Sequence, residues 1–118
     1  MELVAFIGKD KENWGQVKGV MNNLECERIV LIQDETVSDF PIDERTEIVK
    51  VDCGKPLLEL KEEILNAVKP KLSGDFEVSL SIASGSGKEH MALISALLCV
   101  PVGIRLVVFT KKGIEVLN

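Results

Sequence analysis

Five short apolar runs punctuate the chain: LVAFIG (3–8), RIVLIQD (28–34), EIVKVD (47–52), FEVSLSIA (76–83) and IRLVVFT (104–110). Between most of them the apolar residues recur at three- and four-residue spacing instead. Few folds accommodate that switch of period. A run apolar at consecutive positions fits a strand covered on both faces. A stripe at helical spacing fits a helix with one buried side. Alternating the two calls for a sheet with helices packed on it. Trp14, Val17, Val20, Met21 and Leu24 give the stripe of a helix over 13–25, with Asp10 or Asn13 as its cap. Pro56 opens a second helix, with Leu57, Leu60, Ile64, Leu65 and Val68 on its buried side, and Pro70 ends it. A third helix covers 87–99.

Two stretches depart from this rhythm. ETVSDFPIDERT (35–46) is polar and broken by Pro41, so it holds one distorted helical turn at most. EIVKVD alternates polar and apolar residues, as an edge strand does. After the fifth run, KKG makes a tight turn into IEVLN (114–118), an antiparallel hairpin. The expected fold is therefore a single α/β domain over 1–118. It is a Rossmann-like three-layer sandwich whose mostly parallel sheet ends in an antiparallel hairpin.

At 118 residues, 46% apolar and 28% charged, the chain has enough material for a core without disulfides or metal. Its net charge of −5 argues against a general nucleic-acid surface, which needs clustered lysine and arginine. It leaves room for a small anion held by local backbone donors. Cys26, Cys53 and Cys99 are odd in number, form no CxxC and accompany one histidine, His90. Zinc is therefore not expected, nor is a secreted disulfide framework. No metal and no cofactor is called for. MELVAFIGKDKENW reaches its first lysine after eight residues, so it reads as neither a signal peptide nor a membrane span, and a cytoplasmic location is expected.

In such sheets ligands bind beyond the carboxyl ends of the strands, where strand order reverses. Two loops qualify, GKDKEN (8–13) and SGSGKEH (84–90). Within the second, Ser86 and Glu89 have the spacing of a capping box, in which each side chain bonds the other's backbone amide. That alone leaves Ser84, Gly85 and Gly87 unexplained. A P-loop aligned on Gly87-Lys88 would need glycine at Ile82 and a hydroxyl at Glu89. A dinucleotide fingerprint would need glycine at His90. What remains is an anion cradle: amides at a helix start, glycines that admit a ligand, the hydroxyls of Ser84 and Ser86, and the charge of Lys88. His90 reads equally as a helix-face histidine and a site residue. Trp14 reads as core, or as a ring for a base to stack on.

The run SIASGSGKEHMAL (81–93), a strand then a hydroxyl- and glycine-rich turn, a basic residue and an apolar helix, resembles the CARF domains of CRISPR-linked proteins. Their signature there looks like Asn/Asp-x-Ser/Thr-Gly-Gly-Thr-Lys/Arg. The order of elements is similar along nearly the whole chain. Ser81, Ser86-Gly87 and the missing second helix depart from the pattern. With right-handed crossovers, the resemblance implies strand order 3-2-1-4-5-6. It implies a homodimer that binds a cyclic oligoadenylate, or another small anionic nucleotide, in a shared pocket. Ser84, Gly85, Ser86, Gly87 and Lys88 would form one wall, and Gly8, Lys9 and Asp10 the other. Some such domains also cleave the ring; Lys88 and Ser84 are the residues that would then act, aligning a ribose hydroxyl on its own phosphate. No nucleic-acid duplex and no membrane is expected as a partner. The alternatives are a non-catalytic interaction or assembly domain, and the N-terminal sensor of a larger DNA-binding regulator.

Overall fold

The computed structural model describes residues 1–72 and 76–118. Six strands, β1 (Glu2–Ile7), β2 (Arg28–Asp34), β3 (Thr46–Val51), β4 (Glu77–Ser81), β5 (Gly103–Thr110) and β6 (Gly113–Val116), form one sheet in the order β3-β2-β1-β4-β5-β6. The first five run parallel, and β6 pairs antiparallel with β5. This is the α/β architecture expected from the sequence, with the strand order that the resemblance and right-handed crossovers implied. β1 lies at the centre with all six residues buried, pairing Leu3 with Ile29 on one side and with Ser79 on the other.

Three helices cover the sheet: α1 (Trp14–Asn23), α2 (Leu57–Val68) and α3 (Gly87–Leu98). The chain moves outward from β1 to β3 and then back across to β4 and β5. Right-handed crossovers therefore place α1 on one face and α2 with α3 on the other. Alternate strand residues feed the two cores. Val4, Phe6, Val30, Ile32 and Leu80 meet Leu60, Ile64, Leu93 and Leu97 under α2 and α3. Leu3, Ala5, Ile7, Ile29 and Leu31 meet Val17, Val20 and Met21 under α1.

No helix joins β2 to β3, as Pro41 indicated. The linker nonetheless covers the sheet as a helix would, since Val37 and Phe40 are buried in the α1-side core. Phe40 stands edge-on to Trp14 with ring centroids 5.4 Å apart. The Arg45 guanidinium donates to the Met21 carbonyl at 2.8 Å, satisfying an acceptor in the last turn of α1. Trp14 thus belongs to the packing of this face.

Three expectations about helix ends need correction. Neither Asp10 nor Asn13 caps α1 with its side chain; a single 3-10 turn, Lys11–Asn13, leads into the helix instead. The Asp10 carboxylate is drawn to the other loop, as described below. Pro56 occupies the N-cap position rather than the first turn, and α2 ends at Val68. Pro70 falls within a 3-10 turn, Lys69–Lys71, that continues past it.

Candidate functional site

β1 and β4 are neighbours, yet the chain leaves them toward opposite faces, to α1 and to α3. Their carboxyl ends mark the reversal of strand order, and the two loops singled out in the sequence meet there. Asp10 joins them. Its carboxylate accepts from the Ser84 hydroxyl at 2.7 Å, from the Gly85 amide at 3.0 Å and from Asn13 Nδ2 at 2.7 Å. Ser84 Oγ in turn accepts from the Gly8 amide at 2.9 Å. Trp14 Nε1 donates to the Gly8 carbonyl at 2.9 Å. His90 Nε2 lies 2.7 Å from the Ser84 carbonyl; a carbonyl only accepts, so that nitrogen carries a proton.

The glycines make this approach possible. A Cβ on Gly8 would stand 2.8 Å from the Gly85 Cα. Gly85 has φ +107° and would drive a Cβ to 2.7 Å from Phe6. Both glycines admit the opposing backbone and ring. Ser84 is likewise structural. It is fully buried, and its hydroxyl is used between Asp10 and Gly8. The hydroxyl expected to face a ligand is thus taken up, in this structure, by an internal bond on either side.

Beside this junction lies a cleft of about 460 Å³, lined by Lys9, Asp10, Asp34, Cys53, Gly54, Gly85, Ser86 and Glu89. Asp34, at the end of β2, accepts from the Cys53 amide at 2.9 Å and the Thr36 amide at 3.0 Å, and from the Thr36 hydroxyl. Burial raises its pKa, but these bonds from Thr36 and Cys53 outweigh it and bring the carboxyl to about 2. Asp10 follows the same logic. Its burial opposes ionisation, the bonds from Asn13, Ser84 and Gly85 outweigh that, and the pKa falls below the usual carboxylate value. Cys53 moves the other way: burial, then the nearby Glu89 and Asp34 carboxylates, push its thiol well above the ordinary range. A thiol so placed is a poor nucleophile.

The capping box is present. Ser86 Oγ accepts from the Glu89 amide, and Glu89 returns a bond to the Ser86 amide at 2.7 Å. Among the described residues, the amides of Gly87 and Lys88 keep no acceptor, and Gly87 faces open space. The Lys88 ammonium reaches the Cys53 carbonyl at 2.9 Å, on the rim beyond the cleft lining.

Of the residues named from the sequence, Lys9, Asp10, Gly85 and Ser86 line the cleft, Gly8 and Ser84 build its support, and Gly87 and Lys88 lie at the helix start beside it. Sequence reasoning missed Asp34, Cys53, Gly54 and Glu89 as lining. Their signal was positional: Asp34 closes a strand, and Cys53-Gly54 follows one at the carboxyl edge. Three carboxylates against one ammonium make this lining acidic. No group of histidine, cysteine and carboxylate residues suited to a metal occurs among the described residues. Among those residues, no helix is long and apolar enough to cross a membrane. No protein-family model, curated protein or solved structure matches the chain.

Proposed function

We propose that this domain binds a small nucleotide of the cyclic oligoadenylate class, in a pocket completed by a second copy, in the manner its CARF-like motif implies. The observation that carries the reading is the meeting of loops 8–13 and 84–90 at the strand-order reversal, beside an open cleft. A phosphate suits the start of α3, where the Gly87 and Lys88 amides and the Lys88 ammonium are donors. The cleft itself suits ribose hydroxyls and an adenine amino group, because Asp34 and Glu89 are acceptors. A phosphate pressed against those carboxylates would meet repulsion of roughly 4 kcal/mol per pair at 4 Å separation.

The chemistry of the lining favours sensing over cleavage. Asp10 and Asp34 are held ionised as weak bases, and the Cys53 thiol is held protonated. The proton-bearing His90 nitrogen is turned to the Ser84 carbonyl. General acid–base work at neutral pH needs a group poised near that pH, which these two carboxylates and this thiol are not.

Calorimetric titration with cyclic tetra- and hexa-adenylate tests the reading. One ring should bind, and Lys88→Ala should weaken it by about 1–3 kcal/mol with stability unchanged. Equal affinity in the variant would remove Lys88 from the cradle. Binding of neither ring would reject this reading in favour of an interaction or assembly domain.

A further inference from the structure

A second concavity of about 280 Å³ adjoins the cleft, sharing Lys9 as a common wall. Lys11, Trp14, Thr36, Val37, Ser38 and Asp39 complete it, so it lies between the loops that follow β1 and β2. Its charge is opposite to that of its neighbour: two ammonium groups face one carboxylate, that of Asp39. Among the described residues neither Lys9 nor Lys11 is engaged in an ion pair, whereas Lys55, Lys61 and Lys71 each hold a glutamate. Lys11 is instead held over the Trp14 ring, its Nζ 5.5 Å from the centroid. That contact positions the cation beside the concavity without neutralising it. The amides of Ser38 and Asp39 and the Ser38 hydroxyl have no acceptor among the described residues, although the segment is anchored at Val37. Asp39 adopts φ +73°, a left-handed conformation uncommon for a residue other than glycine.

We propose that this concavity is an anion subsite for a phosphodiester or phosphoanhydride group, gripped by Lys9, Lys11 and the free donors at Ser38 and Asp39. It rests on the nucleotide reading above and extends it. A ligand with more than one phosphate would place one at the start of α3 and another here, with its uncharged donor groups over the acidic cleft between. Lys11 and Ser38 then become binding residues, and Lys9 becomes the partition between two unlike compartments.

Inorganic pyrophosphate is the probe. It is titrated into the full chain, nitrogen-15 labelled, at constant ionic strength. The amides of Lys9, Lys11, Ser38 and Asp39 should shift saturably, and those of Lys111 and Lys112, an exposed lysine pair in the β5–β6 turn, should not. Lys11→Ala should weaken the apparent affinity at least about five-fold, and Lys11→Arg should retain most of it. Equal shifts at both lysine pairs, or an affinity indifferent to Lys11→Ala, would overturn the subsite. A parallel titration with cyclic tetra-adenylate keeps the two claims apart. Pyrophosphate shifts without ring binding sustain the subsite and reject that ring as ligand. Ring binding with no pyrophosphate shifts here rejects the subsite alone.

Discussion

The carboxylate of Asp10 accepts from three donors on two loops, and one of them, the Ser84 hydroxyl, is inaccessible to water. Removing that acceptor leaves the buried Ser84 hydroxyl proton without an acceptor, while its oxygen still accepts from the Gly8 amide; such a loss costs about 1–3 kcal/mol. We expect Asp10→Ala to lower the unfolding free energy by about 2 kcal/mol in urea melts. A change below about 0.5 kcal/mol would mean that the loops hold together without it. Ser79 and Ser81 present the opposite case. Both are fully buried on β4, and neither hydroxyl has a partner among the described residues. Their desolvation is uncompensated, so Ser79→Ala and Ser81→Ala should be neutral or stabilising by up to about 1 kcal/mol. A clear drop in melting temperature for either would show that its hydroxyl is bonded after all, for instance to a buried water.

At the level of elements, the β2–β3 connection is the least conventional part of the fold. It reaches the core through Val37 and Phe40. Phe40→Ala should therefore cost about 3 kcal/mol, as removal of a buried aromatic ring does, readable by chemical denaturation. A cost under about 1 kcal/mol would show the linker to be an ornament on α1. The same connection is tied at its base by Asp34, which bonds Thr36 on its own side and Cys53 beyond β3. Its pKa falls from the ordinary 3.8 to about 2 in the folded chain. The stability this contributes is present in full above about pH 4 and is lost as pH falls through about 2. Its size is about 2 kcal/mol. The unfolding free energy should decline over that acid window, and Asp34→Asn should flatten this part of the decline. An identical acid profile in the variant would refute the assignment.

At the scale of the whole molecule, the proposed ligand, a ring several nucleotides long, is large for one small domain. α3 leaves Met91 and Leu98 exposed, at 56% and 71%, one heptad apart on one face. This is the helix whose start carries the proposed cradle. A two-fold pair would double the donors around one symmetric polyanion, and closed two-fold pairing is the commonest oligomeric form. We expect sedimentation at tens of micromolar to report a dimer, Leu98→Glu to shift it toward monomer, and calorimetry to give one ring per two chains. Added salt should weaken the ring, since its attraction is ionic. A monomer, or one ring per chain, would count against the shared pocket.

Much of the architecture was legible because it follows from local chemistry. Apolar runs such as LVAFIG and RIVLIQD suit strands covered on both faces, and the stripe from Trp14 to Leu24 suits a helix with one buried side. The Ser86–Glu89 box was likewise visible, since its bonds span three residues. The site was legible only in outline. Gly8, Asp10, Ser84 and Gly85 could be placed on two loops, but whether they face a ligand or each other depends on contacts between residues some 75 positions apart. No local pattern encodes such a contact. Asp34 and Cys53 enter the cleft for the same reason. Parallel pairing brings the carboxyl ends of β2 and β3 to one edge, and register is set by how the two cores pack. Local sequence therefore settled which segments become strands and helices. The folding of distant segments onto one another settled that Ser84 is a brace and that the adjoining cleft is acidic.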